Sequence, residues 1–191
     1  MGMGNRHRFE YRPGAQGSSS NGVPAAAVLL LLLVPVSHPL ASGLESSPFD
    51  AALAALQGRM GYAFRSPDLL RRAMTHASYS RENGRALAVL GLAAAESAAA
   101  LRALAADRDA PASAVSRAAR DAAGEPACAA AGARAGIPGV VRVAGSTKAS
   151  APPVVCGALR ALLGAVAVDN GTAAAAAEVF WRLHVITAAA M

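Results

Sequence analysis

The chain has 191 residues, enough for one modest folded domain with a terminal extension but too few for two separate cores. Apolar residues make up 54% of the sequence and aromatic residues only 4%, and the commonest apolar residue is alanine, a strong helix former, which predicts an all-helical domain of closely packed small side chains. The formal net charge of +6 is carried by scattered arginines, so charge alone does not establish a nucleic-acid-binding protein.

Residues 1–45 are predicted to be a targeting segment that is not part of the fold. A polar, basic stretch is followed by an unbroken apolar run over 25–34 and then by prolines and small residues, an order typical of a secretory signal peptide. The run is shorter than the roughly 20 residues that span a bilayer, so no membrane span is expected in the mature chain. The sequence therefore favours the secretory pathway through a cleaved signal peptide. The alternative is a transit peptide for the mitochondrion or chloroplast, because the segment is rich in arginine and serine and has few acids.

Downstream of Pro48, helix signals alternate with short breaks and no internal repeat is present. A capping serine, a proline and an acid at Ser66, Pro67 and Asp68 mark one helix start clearly. The folded domain is predicted to extend over 49–184, followed by a tail over 185–191. Helices are predicted over 49–56, 66–74, 85–104, 112–123, 126–135, 154–169 and 172–183, with a short extended connection over 140–145.

Two of these helices are predicted to provide much of the core. In the helix over 85–104, residues at three- and four-residue spacing are expected to face inward: Leu87, Leu90, Gly91, Ala94, Ala98 and Leu101. In the helix over 154–169, the inward-facing residues are expected to be Leu159, Leu162, Leu163 and Val166. Small residues in the same helix would let a neighbouring helix approach closely: Gly157, Ala161, Gly164 and Ala165.

Cys128 and Cys156 are the only cysteines, and Asn170 begins the only glycosylation sequon. The cysteines are a disulfide candidate if the chain folds in an oxidising compartment; the alternative is two buried free thiols. Asn170 is likewise a glycosylation candidate, and the alternative is a sequon that arose by chance beside a helix start.

Three segments in this order resemble the catalytic domain of the ribonuclease III family. Residues 61–79 are similar to its opening helices, 81–91 to the entry of its signature helix, and 161–171 to its late helix. The resemblance covers about 51–184 and implies the all-α helical fold of the ribonuclease III endonuclease domain. The two cysteines and the aromatic pair Phe180 and Trp181 are similar to the plant nuclear-fusion-defective type of ribonuclease-III-like protein.

The resemblance also identifies four positions at which active members of the family carry acids. Those members place a glutamate and an aspartate four residues apart on the signature helix, and an aspartate and a glutamate three residues apart on the late helix. Each spacing puts the two carboxylates on one helix face, so that four of them converge on magnesium ions. Here the four positions are Ala88, Leu92, Gly157 and Arg160, none of which can ligate magnesium. The resemblance therefore implies a catalytically degenerate domain with no catalytic residues and no cofactor.

Other chemistry-bearing residues offer no evident replacement. Glu82 precedes the signature helix, Glu96 lies one turn beyond Leu92, and Asp169 is expected to cap the last helix. His76 has no second histidine at a useful spacing and is expected to hydrogen-bond within its own turn. No cluster of cysteine and histidine with metal-ligand spacing is visible in the sequence.

The expected function is a role in RNA processing or binding, through association with double-stranded or structured RNA or with a partner protein. Domains of this family pair through the signature helix, which implies a homodimer or a heterodimer with a related chain. No double-stranded-RNA-binding domain is expected after the helical domain, so RNA affinity would depend on arginines, with Arg160 as the candidate phosphate contact. Other candidate arginines are Arg71, Arg72, Arg117, Arg120 and Arg134. The alternatives are an active, magnesium-dependent double-stranded-RNA endoribonuclease, acting alone or by completing a partner's site, and a purely structural helper.

Overall fold

Seven α-helices and one short 3₁₀ turn form the part of the chain that the computed structural model describes, residues 47–185. The predicted targeting segment 1–45 and the tail beyond 185 lie outside the described residues. The described part contains no β-strand, only one bridge between Thr75 and Arg142, so the all-α prediction is confirmed. The elements are α1 (Pro48–Met60), α2 (Pro67–Ala73), α3 (Arg85–Ala106), α4 (Ala112–Ala123), α5 (Glu125–Arg134), the 3₁₀ turn (Ile137–Gly139), α6 (Pro152–Asn170) and α7 (Ala173–Val185).

Helix α6 is the centre of the fold, because α2, α3, α5 and α7 all pack against it. Two prolines occupy its first turn, where their missing N–H groups leave no hydrogen bond unmade, and Gly171 ends it in the left-handed conformation with φ of 84°. All four side chains that were predicted to face inward are buried: Leu159, Leu162, Leu163 and Val166. The amphipathic pattern of this helix therefore identified its core face correctly.

Helices α3 and α6 cross at a pair of glycines. A Cβ atom built on Gly91 would clash with the carbonyl oxygen of Arg160, and one built on Gly164 would clash with the carbonyl oxygen of Leu87. The two backbones are thus in direct contact, and there is no room for any side chain between them. The prediction that small residues allow a close helix approach is confirmed at Gly164.

The inner face of α3 differs from the predicted one. Leu90 and Leu101 were expected in the core, but they are 40% and 71% exposed. Because the backbone of α3 lies directly against α6, its inner face can accommodate only small residues, and the leucines are turned outward. The buried residues of this helix are Leu87, Gly91, Ala94, Ala95, Ala98 and Ala99. We call the exposed apolar residues of this helix the α3 stripe: Val89, Leu90, Leu101 and Leu104.

Cys128 on α5 and Cys156 on α6 are both buried and are joined as a disulfide, with their Cα atoms 5.0 Å apart. This separation lies within the range of about 4.4–6.8 Å that a disulfide requires. The covalent link fixes α5 against the first half of α6, next to Gly157.

Asp169 has a different partner from the predicted one. Its buried carboxylate accepts hydrogen bonds from the backbone N–H groups of Arg65 (3.0 Å) and Ser66 (2.8 Å) and from the Tyr62 hydroxyl (2.9 Å). It therefore fixes the start of α2, whereas the expected cap of the last helix is supplied by the Thr172 hydroxyl, which accepts from the N–H of Ala175. The Ser66 side chain, the predicted cap of α2, makes no capping hydrogen bond.

The environment of Asp169 controls its protonation. Burial by itself raises the pKa of this carboxyl group, but the hydrogen bonds from Arg65, Ser66 and Tyr62 outweigh burial and hold the pKa below its ordinary value. Burial also raises the pKa of the Tyr62 hydroxyl, and the adjacent carboxylate adds to that rise. Asp169 is therefore ionised in the folded protein at neutral pH.

Two described helices, α3 and α6, are long and apolar enough to span a membrane by length and composition alone. For α6, 72% of the most apolar window is buried inside the fold, which is the property of a core helix. For α3 the corresponding value is 33%, because the α3 stripe faces outward.

Replacing Gly164 by alanine should destabilise the fold by about 1–3 kcal/mol, because the new methyl group would meet the Leu87 carbonyl and force the two helices apart. Gly58→Ala is the matched control, since an added Cβ there meets nothing within 4 Å, and it should stabilise α1 by up to about 1 kcal/mol. Urea unfolding followed by circular dichroism measures both changes. Equal stabilities of the two variants would contradict the close crossing.

Replacing Asp169 by asparagine should cost about 2–3 kcal/mol at neutral pH, because an amide cannot accept all three hydrogen bonds that the carboxylate accepts. The folded pKa is lowered, so the stabilisation is present above the unfolded pKa of about 4 and is lost as the pH falls below it. Asp169→Asn should therefore show a weaker loss of stability between neutral pH and acid than the parent. The exposed Asp121→Asn is the control and should change stability by less than about 0.5 kcal/mol.

Candidate functional site

A cavity of about 340 Å³ opens beside the crossing of α3 and α6. It is bounded by the turn that follows α2, by the first turn of α3, by the connection before α6 and by the first half of α6. The apolar part of its wall includes Ala73, Ala77, Ala88, Val141, Ala158 and Ala161, and the polar side chains are Thr75, His76 and Arg85.

The four positions that correspond to the family's acids lie on the two helices that form this crossing. Ala88 and Gly157 are both in the wall of the cavity. Leu92 packs against the core and does not line the cavity. The residue before it, Gly91, is the point at which the backbone of α3 meets the carbonyl group of Arg160. The structure thus places two of the four positions in one wall and the other two beside the crossing.

Arg160, the candidate phosphate contact, is not in the wall of the cavity. Its Nη2 donates to the carbonyl oxygen of Ala123, the last residue of α4, at 2.8 Å. The side chain therefore leaves α6 on the side of α4, and an RNA phosphate would have to compete with this carbonyl for it. The arginine in the wall of the cavity is instead Arg85, the first residue of α3, for which the sequence gave no signal of this role.

The residues at the cavity do not fit the magnesium ions that the ribonuclease III fold implies. Magnesium requires several oxygen ligands, and the wall has a single side-chain oxygen, that of Thr75. This hydroxyl already donates to the Arg71 carbonyl and accepts from Arg142 Nη2, both at 2.7 Å. Within residues 47–185, no three or more histidine, cysteine, aspartate or glutamate side chains group closely enough to hold a metal ion.

The remaining acids considered from the sequence lie elsewhere. Glu96 is exposed on α3, and Asp169 is occupied at the start of α2. Glu82 lies at a separate surface cleft together with Arg72, Arg81 and Asp68. None of the three lines the cavity, so none replaces a lost ligand.

The turn over 75–78 is held rigidly against the cavity. The His76 Nδ1 atom lies 2.9 Å from the Ser78 hydroxyl and accepts from the Ser78 N–H at 3.1 Å, so the predicted hydrogen bonding of this histidine within its turn is confirmed. The backbone N–H of His76 donates to the carbonyl of Arg142, and the N–H of Arg142 donates to Met74, both at 2.9 Å. These bonds form the parallel bridge between the turn and the connection before α6.

The Arg142 side chain stabilises this bridge, and the sequence did not identify this role. Its guanidinium lies between two aromatic rings, 4.1 Å from the centre of Phe49 and 4.8 Å from that of Tyr79, while donating to Thr75. Cation–π contacts on both faces fix the guanidinium, and with it the wall of the cavity. Three segments far apart in the sequence meet here, so no local pattern could have revealed the arrangement.

The glycosylation candidate Asn170 is exposed at the end of α6. The Thr172 hydroxyl donates to its side-chain oxygen at 2.9 Å, so the two polar side chains of the sequon are in direct contact. The site is accessible at the protein surface, and its modification stays a prediction.

Comparison with protein-family profiles finds no match. The protein NUCLEAR FUSION DEFECTIVE 2 of Arabidopsis thaliana is 44% identical over 140 residues, which are 73% of this chain and 73% of that protein. Among solved structures, two nuclease domains of ribonuclease III from Campylobacter jejuni are similar. One has a TM-score of 0.67 at 19% identity, over 70% of this chain and 96% of that domain. The other has a TM-score of 0.63 at 20% identity, and the match covers 70% of this chain and 94% of that domain.

At these low identities the bacterial domains establish only the fold of this chain, which is that of the ribonuclease III nuclease domain. The helix order of the described residues agrees with it. The plant relative is much closer in sequence, and the match covers most of both chains. The chain therefore belongs to the nuclear-fusion-defective type of ribonuclease-III-like proteins.

Proposed function

We propose that this ribonuclease-III-like protein acts in RNA processing without cutting RNA itself, by associating with RNA or with a partner protein. The observation that carries the proposal is the cavity wall, which has Ala88 and Gly157 where the family's magnesium ligands would stand and no carboxylate at all. Without those ligands the domain has no means of holding the metal ions that activate water and stabilise charge on the phosphate. The proposal therefore includes no metal cofactor.

Association with RNA would rest on exposed arginines that contact phosphates. Arg117 and Arg120 lie one turn apart on the exposed face of α4, and Arg134 is exposed at the end of α5. Arg71 is engaged in an ion pair with Asp50, so it is a weaker candidate than the others. Contacts of this kind give affinity for double-stranded or structured RNA with little sequence preference.

The α3 stripe supports a paired domain. Val89, Leu90, Leu101 and Leu104 follow one face of α3 and are exposed, an apolar surface of the kind that protein partners cover. One of the bacterial nuclease domains has a region that is involved in dimer formation in that protein. We infer that this chain pairs through α3, with a second copy of itself or with a related chain.

A secretory location is part of the proposal. The disulfide between Cys128 and Cys156 and the exposed sequon at Asn170 both accord with folding in an oxidising compartment. The mitochondrion and the chloroplast are the alternatives.

Long double-stranded RNA should be bound but not cleaved by the full-length protein in the presence of magnesium or manganese. Restoring the family's acids with Ala88→Glu, Leu92→Asp, Gly157→Asp and Arg160→Glu should produce metal-dependent cleavage, because four carboxylates would again converge at the crossing. The matched control carries Gln, Asn, Asn and Gln at the same positions and should stay inactive. Gel analysis of labelled RNA measures cleavage, and a binding titration measures association.

Cleavage by the parent protein would overturn the proposal and favour an active endoribonuclease. Cleavage that appears only when a related chain is added would favour the completion of a partner's site. Failure of the binding titration with RNA and with candidate partners alike would leave only a structural role and would also contradict the proposal.

Replacing Leu101 by glutamate should shift the protein from dimer to monomer, because a charge would be introduced into the proposed apolar interface. Analytical ultracentrifugation measures the mass. Val168→Glu is the control, since Val168 is another exposed apolar residue but lies on α6, and it should leave the dimer intact. A parent that is monomeric by itself and with related chains, or a dimer unaffected by Leu101→Glu, would contradict pairing through α3.

A further inference from the structure

The cavity has the size and lining of a small-molecule site. Its volume of about 340 Å³ is at the lower end of the range of about 300–1,000 Å³ found for such sites. The walls at Ala88 and Ala158 are apolar, and a Cβ atom built on Gly157 would meet nothing within 4 Å. The positions of the family's acids at Ala88 and Gly157 are thus part of an apolar space.

One side of the cavity is electropositive. Arg85 and the half-buried His76 are in the wall, and no aspartate or glutamate is. Helix α3 begins at Arg85 with no side-chain cap and no acid in its first turn, so the positive end of its dipole also faces this region. The Thr75 hydroxyl is already hydrogen-bonded to the Arg71 carbonyl and to Arg142. Arg85 and the His76 ring are therefore the polar side chains of the wall that could bind a ligand.

We propose that this cavity binds a small apolar molecule that carries one carboxylate group. The carboxylate would pair with the Arg85 guanidinium, which can donate two parallel hydrogen bonds, and the apolar body would lie against Ala88, Gly157 and Ala158. His76 Nδ1 is engaged with Ser78, so the ligand would meet the other ring nitrogen, Nε2.

The alternative ligand chemistries fit less well. A cation would face Arg85 without any acid in the wall. A nucleotide would bring ribose hydroxyls against alanine and valine side chains that offer no hydrogen bond, and burying them there is unfavourable. The inference does not depend on RNA association, which rests on arginines of α4 and α5.

Three eight-carbon probes that differ only in the head group test the inference on the full-length protein: octanoate, octanol and octylamine. Calorimetric titration should give octanoate the highest affinity, with octanol weaker on the order of tenfold and octylamine showing no binding. Arg85→Gln should reduce octanoate to the affinity of octanol and leave octanol unchanged. Arg108→Gln, which changes an exposed arginine in the connection between α3 and α4, is the control and should have no effect.

Filling the cavity gives a second, independent arm. Gly157→Leu should abolish binding of both octanoate and octanol, because the new side chain enters the open space, and Ala88→Leu should do the same should the first variant fold poorly. Gly58→Leu, at another open helical glycine, should leave binding unchanged. Octanoate binding that survives both filling variants, or that Arg85→Gln does not weaken, would overturn the proposal, as would equal affinity for octylamine.

The same variants separate this inference from the proposed function. Gly157→Leu should leave RNA binding intact, so loss of the probes with retained RNA binding supports a dedicated small-molecule site. Displacement of octanoate by RNA would instead identify the cavity as part of the RNA surface and would overturn the carboxylate proposal.

Discussion

Direct backbone contact between α3 and α6 is the constraint on which the other features of the domain depend. Gly91 and Gly164 let the helices touch, and the residues on either side of them must also be small or point away. This is why the inner face of α3 is mostly alanine and why Leu90 and Leu101 face outward. The cavity opens beside this contact, at the first turn of α3 and the first half of α6. The backbone contact between α3 and α6 thus accounts for the small-residue core, for the exposed α3 stripe and for the position of the candidate site.

The geometry of the crossing does not need the acids that active relatives carry there. Four carboxylates brought together without metal ions would repel one another and would be costly to hold beside an apolar core. Alanine at position 88 and glycine at 157 remove that cost, and Arg160 is directed to the carbonyl of Ala123. The framework does not depend on those acids, which is the physical basis for the proposed role in binding.

Three links between segments distant in sequence hold the walls around this crossing. The Asp169 carboxylate fixes the start of α2, Arg142 fixes the turn over 75–78, and the disulfide fixes α5 against α6. The hydrogen bonds of Asp169 and Arg142 are buried or half-buried, so they are shielded from water and stronger than exposed hydrogen bonds of the same kind, and the disulfide is covalent. A binding site formed by small side chains, which contribute little packing energy individually, depends on such links for its shape.

The sequence by itself determined the helices, because prolines, glycines and apolar spacing act locally, and it determined the family through the order of several weak segments. The core face of α6 followed from its pattern, since that helix is surrounded on nearly all sides. Only the tertiary structure determined which side chains turn outward and which distant residues meet, because local sequence patterns carry no information on either. The outward rotation of the leucines of α3 follows from the backbone contact with α6, and the attachment of Asp169 to α2 follows from a meeting of residues about one hundred positions apart. Arg160 is directed away from the cavity because the last residue of α4 offers its guanidinium a carbonyl group, and the arginine in the cavity wall is Arg85.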